Sequence, residues 1–412
     1  MQLIWGLAAF ATLASAIPLE GRDFHYGDRS VYASAYNAAQ PPPKQTYAPT
    51  PGGSGDSGAW SPPDNSQGVP GAPKEVSDDP FSLDNGFPNI PNPSDALTKI
   101  NTAARGTLSN APPPAKAPSS ETLTSLRLVA FNELFETFYF TELLKNVTEG
   151  VAGYGFQDQG FKQKVINTLT AVQAQEELHA LNANGALARA NAGPIQACSY
   201  KASVDNFHDA IFLASTFTDV VLGTLADISV VAGQNGDAAN IRGFTASLGQ
   251  EGEQNGFYRD LLGKLPSALP FLTASLRDFA FSALNQNFVV PGSCPNSNTI
   301  DLKIFGKLDV LTPNPIQPKD QDLKFSFKPN GGNADGLSLV YINQQNVPVV
   351  QPITGGKPGS DGVVKFSSPL PYTKLLMNGL TIAAVVEGPG PFPNITSVAA
   401  KTLFGPGLIE IN

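Results

Sequence analysis

The sequence predicts an α+β protein: a four-helix bundle with one extra helix, followed by a small, sandwich-like β-rich C-terminal domain. Two observations predict this architecture. Four long segments between residues 119 and 292 carry apolar residues at alternating steps of three and four, the spacing of one helix face. From residue 300 to 412 the sequence changes to short β-branched runs bounded by Pro, Gly and Asn, which is typical of strands and turns.

The boundaries of the helices follow from capping and loop residues. We predict long helices near residues 121–147, 161–190, 204–231 and 237–264, and the extra helix at 270–287. Ser119 or Ser120 is the expected N-cap of the first, and Gly150 is expected to end it. Short Gly/Pro loops between successive long helices favour antiparallel packing in a bundle.

The N-terminal quarter of the chain is predicted to lie outside the fold. Residues 1–16 are interpreted as a signal peptide, because an apolar run ends in the small-x-small pattern Ala14-Ser15-Ala16. Residues 17–118 are rich in Pro, Gly and Ser and are predicted to be a disordered arm, with a brief helix at 96–105. No later segment is expected to be long and apolar enough to span a membrane. The predicted location is therefore secreted, extracellular or in the cell wall.

Three further features fit export. Cys198 and Cys294 are the only cysteines, and an even pair in a secreted chain predicts one disulfide. Closing a loop of that length stabilises a fold by roughly 4–5 kcal/mol in the chain-entropy model. Asn146 and Asn394 each begin an Asn-x-Thr triplet and are predicted glycosylation acceptors.

The inner faces of the predicted long helices carry polar residues near their middles. Glu176 and His179 form Glu-x-x-His within the apolar stripe of the second helix. At a spacing of three, both side chains project from one face, so a single ion can meet a carboxylate oxygen and a ring nitrogen. The first helix offers Glu133, with Glu136 as the alternative. The remaining helices contribute Thr218, and Glu251 with Gln254.

Three runs that contain these residues resemble a known family. FNELFETFYF, AQEELHALNANGAL and GQEGEQNGFYRDLL are similar to the secreted ferritin-like proteins of filamentous fungi and yeasts described as stress-response and late sexual development proteins. They also resemble, more distantly, the desiccation-related ferritin-like proteins of plants and bacteria. The resemblance covers roughly residues 121–265, and the fungal proteins carry a similar β-rich tail. It implies that the bundle is ferritin-like.

The resemblance also implies a ligand set, and this sequence departs from it. Metal-binding ferritin-like bundles take one Glu from each of two helices and a Glu-x-x-His from each of the other two. Here Thr218 stands where a Glu is expected, and Gln254 stands where a His is expected. Both are weak neutral ligands for iron. We therefore expect either no metal or one divalent ion, iron or manganese, on Glu133, Glu176, His179 and Glu251. A hydrogen-bonded cluster without metal is the alternative.

Composition and motifs narrow the function. The net charge of −9 and the absence of a basic run argue against nucleic acid as a partner. The chain has three histidines and no Gly-x-Ser-x-Gly motif, which disfavours a Ser/His/Asp hydrolase. The leading hypothesis, implied by the resemblance, is a structural or protective role in stress response or sexual development. The alternatives are a metal-dependent oxidase or peroxide scavenger, and a module whose β-rich tail binds cell-wall polysaccharide or protein. The sequence does not predict an oligomeric state.

Overall fold

A computed structural model describes residues 80–202, 204–329 and 334–411, all of which lie in one compact unit. The fold is mixed helix and sheet, as predicted. The predicted signal peptide, and the predicted arm up to residue 79, lie outside the described residues.

The six longest helices of the described residues lie N-terminal to all of the strands. Their bounds are α1 Asp95–Ala104, α2 Ser120–Glu149, α3 Gln159–Arg189, α4 Phe207–Gln234, α5 Ala238–Leu261 and α6 Arg277–Asn287. Ser119 caps α2 by accepting a hydrogen bond from the amide of Thr122, and Gly150 ends it in the left-handed conformation. The four long helices thus start and end within a few residues of the prediction.

The extra helix begins later than predicted, at Arg277 instead of residue 270. The reason is tertiary, since residues 272–274 hydrogen-bond to β6 and to the turn that follows β3. The hydroxyl of Thr273 donates to the carbonyl of Leu380, and the amide of Ala274 donates to the carbonyl of Gln344. These bonds require an extended backbone, which delays the start of the helix.

The last part of the predicted disordered arm is ordered, which corrects that prediction for residues 80–118. Ser94 caps α1, and Leu97 and Ile100 are buried with Ala174 and Leu178 of α3. This segment buries little apolar surface within itself and is stabilised by packing on the bundle instead.

Within the described residues, seven strands form two antiparallel sheets. Their bounds are β1 Leu308–Val310, β2 Gln321–Phe327, β3 Leu337–Asn343, β4 Val349–Pro352, β5 Val364–Leu370, β6 Gly379–Glu387 and β7 Thr402–Ile411. The three-stranded sheet has the order β1-β2-β5, and the four-stranded sheet has the order β4-β3-β6-β7. Two short helices, α7 Tyr372–Leu375 and α8 Ile395–Lys401, connect strands. The facing sides of the sheets share a core that includes Phe325, Tyr341 and Phe366.

The four-stranded sheet is buried on both faces. Side chains such as Leu339 and Val385 point into the core between the sheets, whereas Val340 and Ala384 belong to the core of the helices. Consequently, eight of the nine residues of β6 are buried. The predicted boundary between residues 292 and 300 does not separate two independent cores.

The prediction that no later segment is long and apolar enough to span a membrane is wrong for α4. By length and composition α4 could span a bilayer, but 78% of its most apolar window is buried inside the protein. A core helix enclosed by other elements has the same composition as a membrane helix.

Candidate metal centre

Three long helices bring four ionisable side chains to one point. Glu133 comes from α2, Glu176 and His179 from α3, and Glu251 from α5. One ligand atom from each lies within 4.8 Å of the others. The three carboxylates are buried, and the His179 side chain is 15% exposed. This set is the one predicted for a single ion.

His179 Nδ1 faces all three carboxylates. It lies 3.0 Å from Glu176 Oε2, 3.4 Å from Glu251 Oε1 and 3.5 Å from Glu133 Oε2. Two ligands of one ion with bonds of about 2.1 Å are about 3.0 Å apart at right angles and about 3.4 Å apart in a tetrahedron. Nδ1 hydrogen-bonds Glu176 Oε2 at 3.0 Å, and it can share only one proton, so the oxygens of Glu251 and Glu133 face it without a good hydrogen bond. The separations therefore fit donors arranged around a cation.

The carboxylate oxygens of the cluster are poorly satisfied within the described part of the chain. Glu133 Oε2 and both oxygens of Glu251 are buried and have no hydrogen-bond partner there. Burying such oxygens without partners costs free energy, and a bound cation would offset that cost. The residues present thus fit a divalent metal ion.

The shifted pKa values of the cluster residues also fit a bound cation. Burial raises the pKa of Glu133 to about 8 and that of Glu251 to about 7, although His179 opposes both shifts. Burial lowers the pKa of His179, but the carboxylates, Glu176 foremost, outweigh it and raise that pKa well above its usual value. Without metal, the cluster therefore retains protons that a cation would displace.

The positions that depart from the ferritin-like pattern do not add a second set of donors. Gln254 Nε2 donates to Glu176 Oε1 at 2.6 Å, and Tyr258 donates to Gln254 Oε1 at 3.1 Å. Thr218 is buried, and its hydroxyl has no partner among the described residues. Glu136 lies outside the four-residue set and accepts a hydrogen bond from Asn132 at 2.8 Å. Gln254 is thus fixed as a hydrogen-bond donor to one of the ligands.

Gln175 and Gln250, which were not among the predicted site residues, join Gln254 in an amide network around this cluster. Gln175 Oε1 accepts hydrogen bonds from Gln250 at 2.9 Å and from Gln254 at 3.3 Å. Gln175 Nε2 in turn donates to the carbonyl of Ala104, at the end of α1. These glutamines link the ligand helices to α1. Their amides lie next to Glu176 and Glu251 in the sequence, which is the one signal that could have indicated them.

The predicted covalent sites are also placed. Cys198 and Cys294 form the predicted disulfide, which joins the loop after α3 to the loop after α6. A disulfide is more common outside the cytosol. Asn394 is exposed and caps α8, whereas Asn146 is half-buried near the end of α2. Glycosylation of either remains a prediction.

Comparison with models of known protein families found no match, and neither did a search of curated proteins. The buried Glu/His group could hold a metal ion.

Proposed function

We propose that this chain is a secreted, ferritin-like protein that binds one divalent metal ion, iron or manganese, in its helical bundle. In this proposal the ion has a structural and protective role of the kind implied by the resemblance to fungal stress-response and sexual-development proteins. The observation that carries the proposal is the convergence of Glu133, Glu176, His179 and Glu251 around His179 Nδ1, at separations suited to one ion.

A single ion is favoured over a pair because of what surrounds the cluster. A dimetal oxidase needs ligands that hold two ions at a fixed separation with open positions for oxygen. Thr218 and Gln254 supply neither a carboxylate nor an imidazole for a second ion. The Gln254 amide is also engaged with Glu176 and Tyr258. An oxidase or peroxide scavenger that needs two ions is therefore the weaker candidate.

Metal analysis of protein purified without chelator tests the proposal. We expect close to one iron or manganese per chain, and loss of that metal in His179→Ala. The matched control is Glu136→Gln, which neutralises a buried carboxyl on α2 outside the four-residue set. This variant should retain the metal.

Two results would overturn the proposal. The first is no bound metal together with no binding of added Mn²⁺ or Fe²⁺ by the chelator-stripped protein. The second is two ions per chain with oxygen consumption that His179→Ala abolishes while the melting temperature stays unchanged. That second result would establish the oxidase instead.

A further inference from the structure

A cleft of about 1170 Å³ leads to the Glu/His cluster. All four long helices line it, through Leu126 of α2, Ala183 of α3, Leu225 of α4 and Phe244 of α5, and all four side chains are buried. His179 lines it as well. The cleft therefore extends between the helices, along an apolar wall, as far as the histidine of the cluster.

The outer side of the cleft is formed by the ordered end of the arm. Ile90, Leu108 and the prolines at 112–114 lie there. These side chains are apolar, although Asn89, Asn92 and Ser109 of the same segment also line the cleft. A ligand that lies against Ile90, Leu108 and the prolines would present an apolar body to them.

Two arginines, Arg189 and Arg242, line the cleft, and none of its lining residues in the described part of the chain is acidic. At the inner end His179 separates the cleft from the three carboxylates of the Glu/His cluster. Both arginines are exposed and form no ion pair with the described residues. This differs from the protein as a whole, whose net charge is −9. The part of the cleft that carries the two arginines is thus complementary to an anion.

Helix directions place the two arginines at the same end of the bundle. The Ser119 amide donates to Asp237 at 2.8 Å, which puts the starts of α2 and α5 together. Arg127 near the start of α2 donates to the carbonyl of Ala192, just after α3 ends. Arg189, at the end of α3, and Arg242, near the start of α5, therefore lie at one end. His179 is ten positions deeper along α3, which corresponds to about 15 Å.

We propose that this cleft binds an elongated amphipathic anion: an alkyl chain that ends in a single carboxylate. The carboxylate would pair with Arg189 and Arg242 at the rim, and the chain would lie between the helices and reach toward His179. A depth of about 15 Å suits a chain of about 12 carbons. Apolar walls with a few convergent polar groups are the usual composition of small-molecule sites. Binding at this site does not require the metal, so the inference goes beyond the proposed function and does not depend on it.

Titration calorimetry of the full chain with dodecanoate, below its micelle concentration, tests the inference. We expect saturable binding of one dodecanoate per chain. Two comparison probes separate the contribution of the alkyl chain from that of the carboxylate. Hexanoate has the same head group with half the chain, and dodecanol has the same chain without charge, so each should bind at least 10-fold more weakly. Dodecyl phosphate, which shares the chain and the anionic end, should bind with the same dependence on the arginines.

Variants locate the site. Arg189→Gln combined with Arg242→Gln should weaken dodecanoate binding at least 10-fold, whereas Lys145→Gln, an exposed cation on α2 outside the cleft, should leave it unchanged. Ala186→Phe should block the cleft, and Ser247→Phe does the same from α5 if the first variant fails to fold. The inference is overturned if dodecanoate does not bind, if dodecanol binds equally well, or if the arginine and phenylalanine variants bind dodecanoate like the native chain.

Discussion

Neutralising Glu251 should have opposite effects on the metal-free and the metal-bound protein. Glu251→Gln keeps the shape of the side chain but removes one charge from three buried carboxylates. Burial, with the nearby charge of Glu176, raises the pKa of Glu251 from 4.5 to about 7. A shift of that size corresponds to about 3 kcal/mol, the cost of ionising this carboxyl in the folded state above pH 7. In the metal-free protein the substitution should therefore be stabilising at pH 8, by up to that amount.

The sign of the pH dependence follows from proton binding. Because the pKa is raised on folding, the folded chain holds this proton more tightly than the unfolded chain, and native stability falls as pH rises from about 4.5 to about 7. The glutamine variant lacks this loss, so its advantage should be near zero at pH 4.5 and largest at pH 8. With metal present, the variant lacks one of four ligands and should bind Mn²⁺ more than 100-fold more weakly, since even changes behind the ligands cost 10–100-fold.

Scanning calorimetry in EDTA and in Mn²⁺, at pH 4.5 and at pH 8, measures both effects. Glu177→Gln is the control for Mn²⁺ affinity, because Glu177 is a buried carboxyl on α3 that is held by Asn85 and Gln173 and lies outside the cluster. A lower melting temperature of metal-free Glu251→Gln at pH 8, or unchanged Mn²⁺ affinity, would refute the reasoning.

Three further outcomes are expected. Replacing Cys198 and Cys294 by Ser removes a cross-link across 96 positions. The free energy of unfolding should fall by about 4–5 kcal/mol, which would lower the melting temperature relative to the oxidised native chain. An equal melting temperature would contradict this. Burial raises the pKa of Asp219 to about 6 against the opposing charge of Arg259, and raises that of Glu410 well above its usual range. Because folding raises the pKa values of these two carboxyls, the stability of the folded chain falls as pH rises from about 4 through about 6. Glu410→Gln should therefore reduce the fall in melting temperature between pH 4.5 and pH 7.5. An unchanged slope would contradict a contribution from Asp219 and Glu410. Gly223→Ala should destabilise the chain by about 1–3 kcal/mol despite the better helix propensity of Ala, because the added methyl would lie 2.2 Å from the carbonyl oxygen of Thr273. The control is Gly249→Ala. Gly249 is exposed and an added methyl would have no neighbour within 4 Å, so this variant should be neutral or stabilising.

The long helices and the cluster could be predicted because their signals are local. Glu176 and His179 interrupt an apolar stripe that includes Val165, Leu169 and Ala183, and all three of these are buried. A polar pair within such a stripe must face the interior together with its neighbours. The convergence of three helices on one point then followed from polar residues placed at similar levels.

The wrong predictions, of disorder at residues 80–118 and of a separate β-rich core, concern segments that are buried by contacts with distant parts of the chain. Leu97 and Ile100 are the only large apolar residues of helix α1, and they are buried against Ala174 and Leu178, more than 70 positions away. Composition within a window cannot report such a partner. The packing of the sheet on the helices had a visible signal, because β6 reads as an almost continuous apolar run, LTIAAVVE. Continuous runs of this kind indicate strands that are buried on both faces.

The bridges between the edges of the two sheets affect how readily a strand from another molecule can add to them. Gly306, which precedes β1, forms a bridge with Phe404 of β7, and Thr354, which follows β4, exchanges two hydrogen bonds of 3.1 Å with Ser367 of β5. Free strand edges present unpaired amides and carbonyls that template the addition of a strand from another molecule. In this chain these two bridges connect the edges of the sheets, so some of the edge groups are hydrogen-bonded within the molecule. The paired parts of these edges are therefore closed to a strand from another molecule.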